Sequence, residues 1–195
     1  MGNGARWSIA AVILMIAGVI AIWPRSEPDP APPRDATQSA PDLSDARAKA
    51  DLPACPSGAQ GPADLRGITV ECLADGGTLD VATALGDRVL VNMWATWCEP
   101  CKTELPILAE YAARPDAIPV VTLGVESRPG DALELLSALK VKLPALLDED
   151  GRTKQKLHPI GLPASYLVEN GTITLIESPR VFTSVDQVRQ AVAHG

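Results

Sequence analysis

Two cysteines three positions apart, Cys98 and Cys101, enclose Glu99 and Pro100 and are followed by Lys102. This spacing suits thiol–disulfide exchange. A thiolate attacks a disulfide sulfur, and a second thiol one helical turn away displaces the mixed disulfide that results. The neighbouring residues say which cysteine does what. Val89-Leu90-Val91 is a short β-branched, apolar run of the kind that forms a buried strand. Beyond the cysteines, Leu105, Leu108 and Ala112 recur at helical spacing, and Pro100 suits a first helical turn, where its missing N–H costs nothing. Cys98 therefore stands at a helix N-terminus, where unpaired N–H groups and the positive end of the helix dipole favour the thiolate. It is the expected attacking thiol, and Cys101 the resolving one. A pair at this spacing is also half of a zinc site. The strand, tryptophan, Cys-x-Pro-Cys and helix in sequence favour the redox reading.

The elements that hold this pair come from a chain of 195 residues, enough for one ordinary domain with appendages. Its formal net charge of -7 makes it a poor candidate for nucleic acid. Residues 1–6 are polar and carry Arg6. From Ile9 to Trp23 no charged residue occurs, and residues 7–23 approach the length of a membrane-spanning helix with Trp7 and Trp23 at its interfaces. An uncleaved anchor with a cytoplasmic N-terminus is expected, and the catalytic part then lies outside the cytoplasmic membrane. A cleaved signal peptide is the competing reading, but no small-x-small site stands near Trp23. Residues 24–53 hold seven prolines and almost no large apolar side chain, which reads as a disordered tether, with Leu43 to Leu52 able to form a turn or two of helix.

The ordered domain is expected over residues 54–195. Outside the cytoplasm two remaining cysteines tend to pair, so Cys55 and Cys72 read as a structural disulfide. Two buried thiols, or a zinc site built from all four cysteines, are the alternatives. Ile68 to Cys72 alternates as a strand, and Asp75-Gly76-Gly77 turns the chain into Thr78-Leu79, giving a β extension ahead of the active-site strand. Pro119 to Val125 is a further strand. A helix follows with Asp131 as its N-cap and Glu134 three residues on, then a strand at Ala145-Leu146-Leu147. Asn170-Gly171 is a hairpin turn between Tyr166–Val168 and Ile173–Ile176. Ser184 and Gln187 form a capping box for the last helix, with Val185, Val188 and Val192 inward. The order predicts an α/β fold, a mixed sheet covered by helices. His158 reads as structural. Glu104, three residues after Cys101, shares its helix face. Glu99, by its charge, opposes thiolate formation at Cys98.

The stretch from Val89 through Trp94-Ala95-Thr96-Trp97-Cys98-Glu99-Pro100-Cys101-Lys102 to Thr103-Glu104-Leu105-Pro106 resembles the membrane-anchored TlpA/ResA-like thiol-disulfide oxidoreductases of the thioredoxin superfamily, over about residues 63–193. The resemblance implies a thioredoxin fold and a cis peptide bond at Leu162–Pro163 facing the cysteines, with the Leu162 backbone free to pair with an extended substrate. It makes Trp97, Glu99, Pro100, Leu162 and Pro163 the expected substrate-contacting residues, and Glu104 a proton relay for Cys101. Asn92 stands where thioredoxin itself carries a buried aspartate. The implied activity is reduction of protein disulfides, apocytochrome c among them, with electrons from a membrane thiol donor and no cofactor beyond the dithiol. The alternatives are an oxidase that inserts disulfides, and a non-catalytic binding module or metallochaperone. A peroxidase reading lacks its lone cysteine in a threonine-containing context.

Overall fold

A computed structural model describes residues 42–193. The β-branched runs build the sheet, and the more evenly apolar of them lie at its centre. The strands are β1 (Thr69–Cys72), β2 (Thr78–Asp80), β3 (Arg88–Trp94), β4 (Val120–Val125), β5 (Ala145–Asp148), β6 (Ala164–Glu169) and β7 (Thr172–Leu175). The helices are α1 (Ser44–Ala50), α2 (Glu99–Ala112), α3 (Pro129–Ala138), α4 (Arg152–Leu157) and α5 (Val185–Ala193). All seven strands form one sheet in the order β2-β1-β5-β4-β3-β6-β7. β3, β4 and β5 run parallel, as strands linked through helices must. β6 and β7 are antiparallel on one side, and β1 and β2 on the other. Every residue of β4 is buried, and β3 is buried from Val89 to Trp94, as expected of strands covered on both faces. This is the expected thioredoxin-like mixed sheet with its β extension.

The hairpin between β6 and β7 turns on Asn170 (φ 52°) and Gly171 (φ 76°), the two left-handed residues that a twisted hairpin needs. The long helix α2 continues through Pro106, buries Leu105, Leu108 and Tyr111, and packs against α5.

Three expectations are corrected. The folded part does not wait for residue 54. Ser44–Ala50 is helix α1, packed on α3, with Ala50 buried in the core. Arg47 pairs with Glu71 at 3.0 Å, and the Lys142 ammonium donates to the carbonyls of Ala50 (2.7 Å) and Asp51 (3.2 Å). Such ties hold a short helix that its own composition would not. Asp131 is not the N-cap of α3. The helix starts at Pro129, and the fixed φ of a proline at the first position outweighs an acidic residue two places later. The cap of α5 is shifted: Ser184 Oγ accepts from Gln187 N–H at 3.4 Å, while the Gln187 side chain reaches back to Thr183 N–H at 2.8 Å instead of to Ser184. The expected cytoplasmic segment 1–6, the anchor 7–23 and the tether up to residue 41 lie outside the described residues. Among the described residues, no helix is long and apolar enough to cross a membrane.

Candidate active site

β3 ends at Trp94, and the loop 95–97 carries the chain to Cys98, the N-cap of α2. Cys98 is 4% exposed and Cys101, one turn in, is fully buried. Their sulfurs are bonded at 2.08 Å, with the Cα atoms 5.3 Å apart. Pro100 lies in the first turn, as its chemistry requires. The second bridge joins Cys55 to Cys72, with S–S 2.02 Å and Cα–Cα 5.9 Å. It fastens the segment after α1 to the end of β1, beside β5. Among the described residues no group of three or more His, Cys, Asp or Glu could hold a metal ion.

The Leu162–Pro163 peptide bond is cis. Pro163 leads directly into Ala164, which pairs with Met93 in the antiparallel ladder of β3 and β6. The register therefore places the proline beside the end of β3, the end from which the chain runs to Cys98. A second cis bond, Ser178–Pro179, carries no signal in the sequence.

Trp97 is 58% exposed, yet its ring is held. Its Nε1 donates to the Glu126 carbonyl at 3.2 Å, and the Lys154 ammonium sits 5.6 Å from the ring centroid. Lys154 is in turn paired with the Glu126 carboxylate at 2.7 Å. Beside it, Ser127 Oγ accepts from the Thr96 N–H at 3.0 Å and donates to the Val125 carbonyl at 2.9 Å. The loop after β4 and the short helix α4 thus fix the loop that carries Trp97. Glu126 adopts a left-handed backbone (φ 47°), and Gly151 (φ 66°) leaves the space its side chain uses.

Glu99 is exposed and pairs with Lys102 at 2.8 Å. Its expected opposition to the Cys98 thiolate is therefore offset by a neighbouring cation and screened by water. Glu104 is fully buried. Its Oε1 accepts from the Phe182 N–H at 2.7 Å, and its Oε2 from Asn92 Nδ2 at 2.8 Å. Burial pushes the carboxyl above its usual range, and those two donors offset only part of the rise. Asn92 Nδ2 also donates to Ser165 Oγ at 3.0 Å. Of the expected residues, the structure brings Cys98, Cys101, Trp97, Glu99, Pro100 and Glu104 together at the start of α2, with Leu162 and Pro163 on the adjoining strand entry. Sequence reasoning missed Ser165, Phe182, Glu126, Ser127 and Lys154, and reached Asn92 only as a departure from thioredoxin. None carries a local pattern, because each acts across a sequence gap.

The sequence profile of the AhpC/TSA family matches residues 65–176. Sporulation thiol-disulfide oxidoreductase A of Bacillus subtilis (strain 168) is 33% identical over 94 residues, 45% of this chain and 57% of that protein. Thiol:disulfide interchange protein CycY of Rhizobium leguminosarum bv. viciae is 33% identical over 114 residues, 57% of this chain and 58% of that protein. The chain thus spans little more than half the length of these curated relatives. A secreted Mycobacterium tuberculosis disulfide oxidoreductase, described as homologous to E. coli DsbE, superposes with a TM-score of 0.58 at 25% identity, over 68% of this chain and 98% of that one.

Proposed function

This chain belongs to the AhpC/TSA family, with thioredoxin-like relatives of the ResA, CycY and DsbE kind, and on that premise we propose that it is a protein thiol-disulfide oxidoreductase working through Cys98 and Cys101. The observation that carries the reading is the Cys98–Cys101 disulfide itself, seated at the start of a 14-residue helix. The helix N-terminus stabilises a thiolate at Cys98 once the bond is reduced.

In the reductive direction the Cys98 thiolate attacks a substrate disulfide. One substrate thiolate leaves, and the other sulfur is held in a mixed disulfide. Cys101 loses its proton to Glu104 and attacks the Cys98 sulfur. The second substrate thiolate leaves and takes up a proton, and the Cys98–Cys101 bond is restored. Two electrons have passed to the substrate, and a dithiol donor must return them. Glu104 suits the acceptor role because it lies one turn from Cys101, buried. The substrate backbone pairs at Leu162, and Trp97, Glu99, Pro100 and Pro163 border the sulfurs. The direction follows the resemblance to the reductive branch, with exported proteins such as apocytochrome c as substrates and a membrane thiol protein as donor. The apolar run at residues 7–23 supports a single-pass anchor that holds the enzyme outside the cytoplasmic membrane.

Equilibration of the purified protein against a thiol–disulfide buffer tests this. A reductase should settle near roughly -270 mV, and an oxidase nearer roughly -120 mV. A protein that exchanges with no dithiol, or that holds the cysteines on a stoichiometric metal, would overturn the assignment.

A further inference from the structure

We propose that Asn92 is a positioning residue that keeps Glu104 in its ionised form beside Cys101, with Ser165 holding the amide in place. The inference rests on the reading of Glu104 as the proton acceptor of the resolving step.

The geometry is one of donors. Two separate elements donate to the carboxylate, β3 through Asn92 and the segment before α5 through Phe182, and β6 braces the Asn92 amide through Ser165. Oε1 faces a backbone N–H, which can only donate. A proton added to that oxygen would weaken the bond, because a neutral acid oxygen accepts less strongly than a carboxylate. Oε2 faces the Asn92 amide nitrogen, also a donor. So the ionised carboxylate satisfies both neighbours, whereas a carboxylic acid would set a hydrogen against one of them.

The amide does not reverse freely to relieve this. Asn92 is fully buried, and its Oδ1 has no hydrogen-bond partner. Turning the amide would carry both N–H groups away from Glu104 and Ser165 to a place where the present oxygen finds nothing to bond. Leaving buried donors unmade costs more than leaving one acceptor idle. The present sense of the amide is thus the one that Glu104 and Ser165 together select.

No charge shares the task. Among the described residues, no cation or second carboxylate pairs with Glu104. On its own helix the near group is Cys101, held in the disulfide. Tyr166, next along β6, points to the opposite face by strand alternation, and burial pushes its hydroxyl up to about 12, so it stays neutral. Against burial, which favours the neutral acid, stand only the two neutral donors at Oε1 and Oε2.

The consequence is a base that is ready and does not retain what it takes. The Cys101 S–H proton passes to Glu104, the S–H bond breaking as an O–H bond forms. The donors limit how far burial favours the acid, and the proton passes on to the departing substrate thiolate.

The test uses the full-length protein in detergent. The rate of exchange with a dithiol is followed against pH in wild type, Glu104→Gln, Asn92→Ala and Asn92→Asp, and the Glu104 carboxyl is titrated by carbon NMR. Asn92→Ala should raise the Glu104 titration by about one pH unit, the loss of one hydrogen bond to a charged group. Asn92→Asp should split it into two steps, since two buried carboxyls at that distance share a proton. Should alanine lose the fold, Asn92→Ser is titrated instead with the same expectation. If Glu104→Gln removes the inflection of the rate but the Asn92 variants leave the Glu104 titration where wild type has it, the inference fails and the relay stands. If Glu104→Gln leaves the rate profile unchanged, the relay fails, and the NMR titration alone decides whether Asn92 holds the carboxylate.

Discussion

Gly151→Ala should loosen the hold on Trp97 at a cost in stability that the structure allows to be worked out. Gly151 has φ 66°, in the left-handed region, where a side chain costs about 1 kcal/mol. An added Cβ would lie 3.0 Å from Glu126 Cγ and 3.1 Å from Oε1, so the Glu126 side chain must give way. Its ion pair with Lys154 is partly exposed, and losing it removes at most about 1 kcal/mol. The sum is about 1–2 kcal/mol, or a fall of about 3–6 °C in Tm for a domain of this size. Lys154 then leaves the Trp97 ring, and Trp97 emission should change. Urea unfolding gives the first quantity. The second is read as the difference between each protein and its Trp97→Phe counterpart, which removes the signal of the other three tryptophans. Asparagine at 151 tolerates the backbone but keeps the clash, so Gly151→Asn should lose less stability and change Trp97 as much. Wild-type stability within about 0.5 kcal/mol, together with unchanged Trp97 emission in both variants, would refute the reasoning.

Two further outcomes are expected. Replacing Cys55 and Cys72 together by serine opens a loop with a sequence separation of 17, which should cost about 3 kcal/mol in the chain-entropy account. Denaturant unfolding checks it, and a loss below about 1 kcal/mol would show that the bridge constrains little. Glu104, whose carboxyl is raised by burial, keeps a proton in the folded protein at pH values where the unfolded chain has released it. Its contribution is complete below 4.5, the ordinary carboxyl value, and lost as pH rises through the higher folded value. Stability measured over a pH series should therefore fall in that window in wild type and lack this fall in Glu104→Gln. Parallel curves would show that the carboxyl titrates alike in both states.

What the sequence revealed and what it hid divide along the range of the interactions. The strand-to-helix passage at Cys98, the Asn170-Gly171 hairpin and the buried runs of β3 and β4 were legible because each is set by residues within a few positions. α4 was not. Arg152 to Leu157 has a single buried residue, Thr153, so no apolar period marks it, and a bond from Thr153 to the buried Asp148 carboxylate anchors its start. For α1 the sequence allowed a turn or two of helix between Leu43 and Leu52 but not its place in the fold, which is set by Glu71 and Lys142 from far along the chain. For Glu104 the local pattern gave only a helix face shared with Cys101. The burial of Glu104 is settled by Phe182, 78 positions away, which no local pattern could announce. At α3 two start signals competed, and the proline prevailed over the aspartate.

Helix α1 also decides where the folded part of this chain can be severed from whatever precedes it. A protease cutting ahead of Asp42 would release a domain with its covering intact. A cut just before Cys55 would strip away Arg47, Ala50 and the carbonyls that engage Lys142, and would uncover the part of α3 and of the core on which α1 packs. Such a product would retain both disulfides and yet expose a sticky patch, so shedding in its intact form requires the earlier scissile bond.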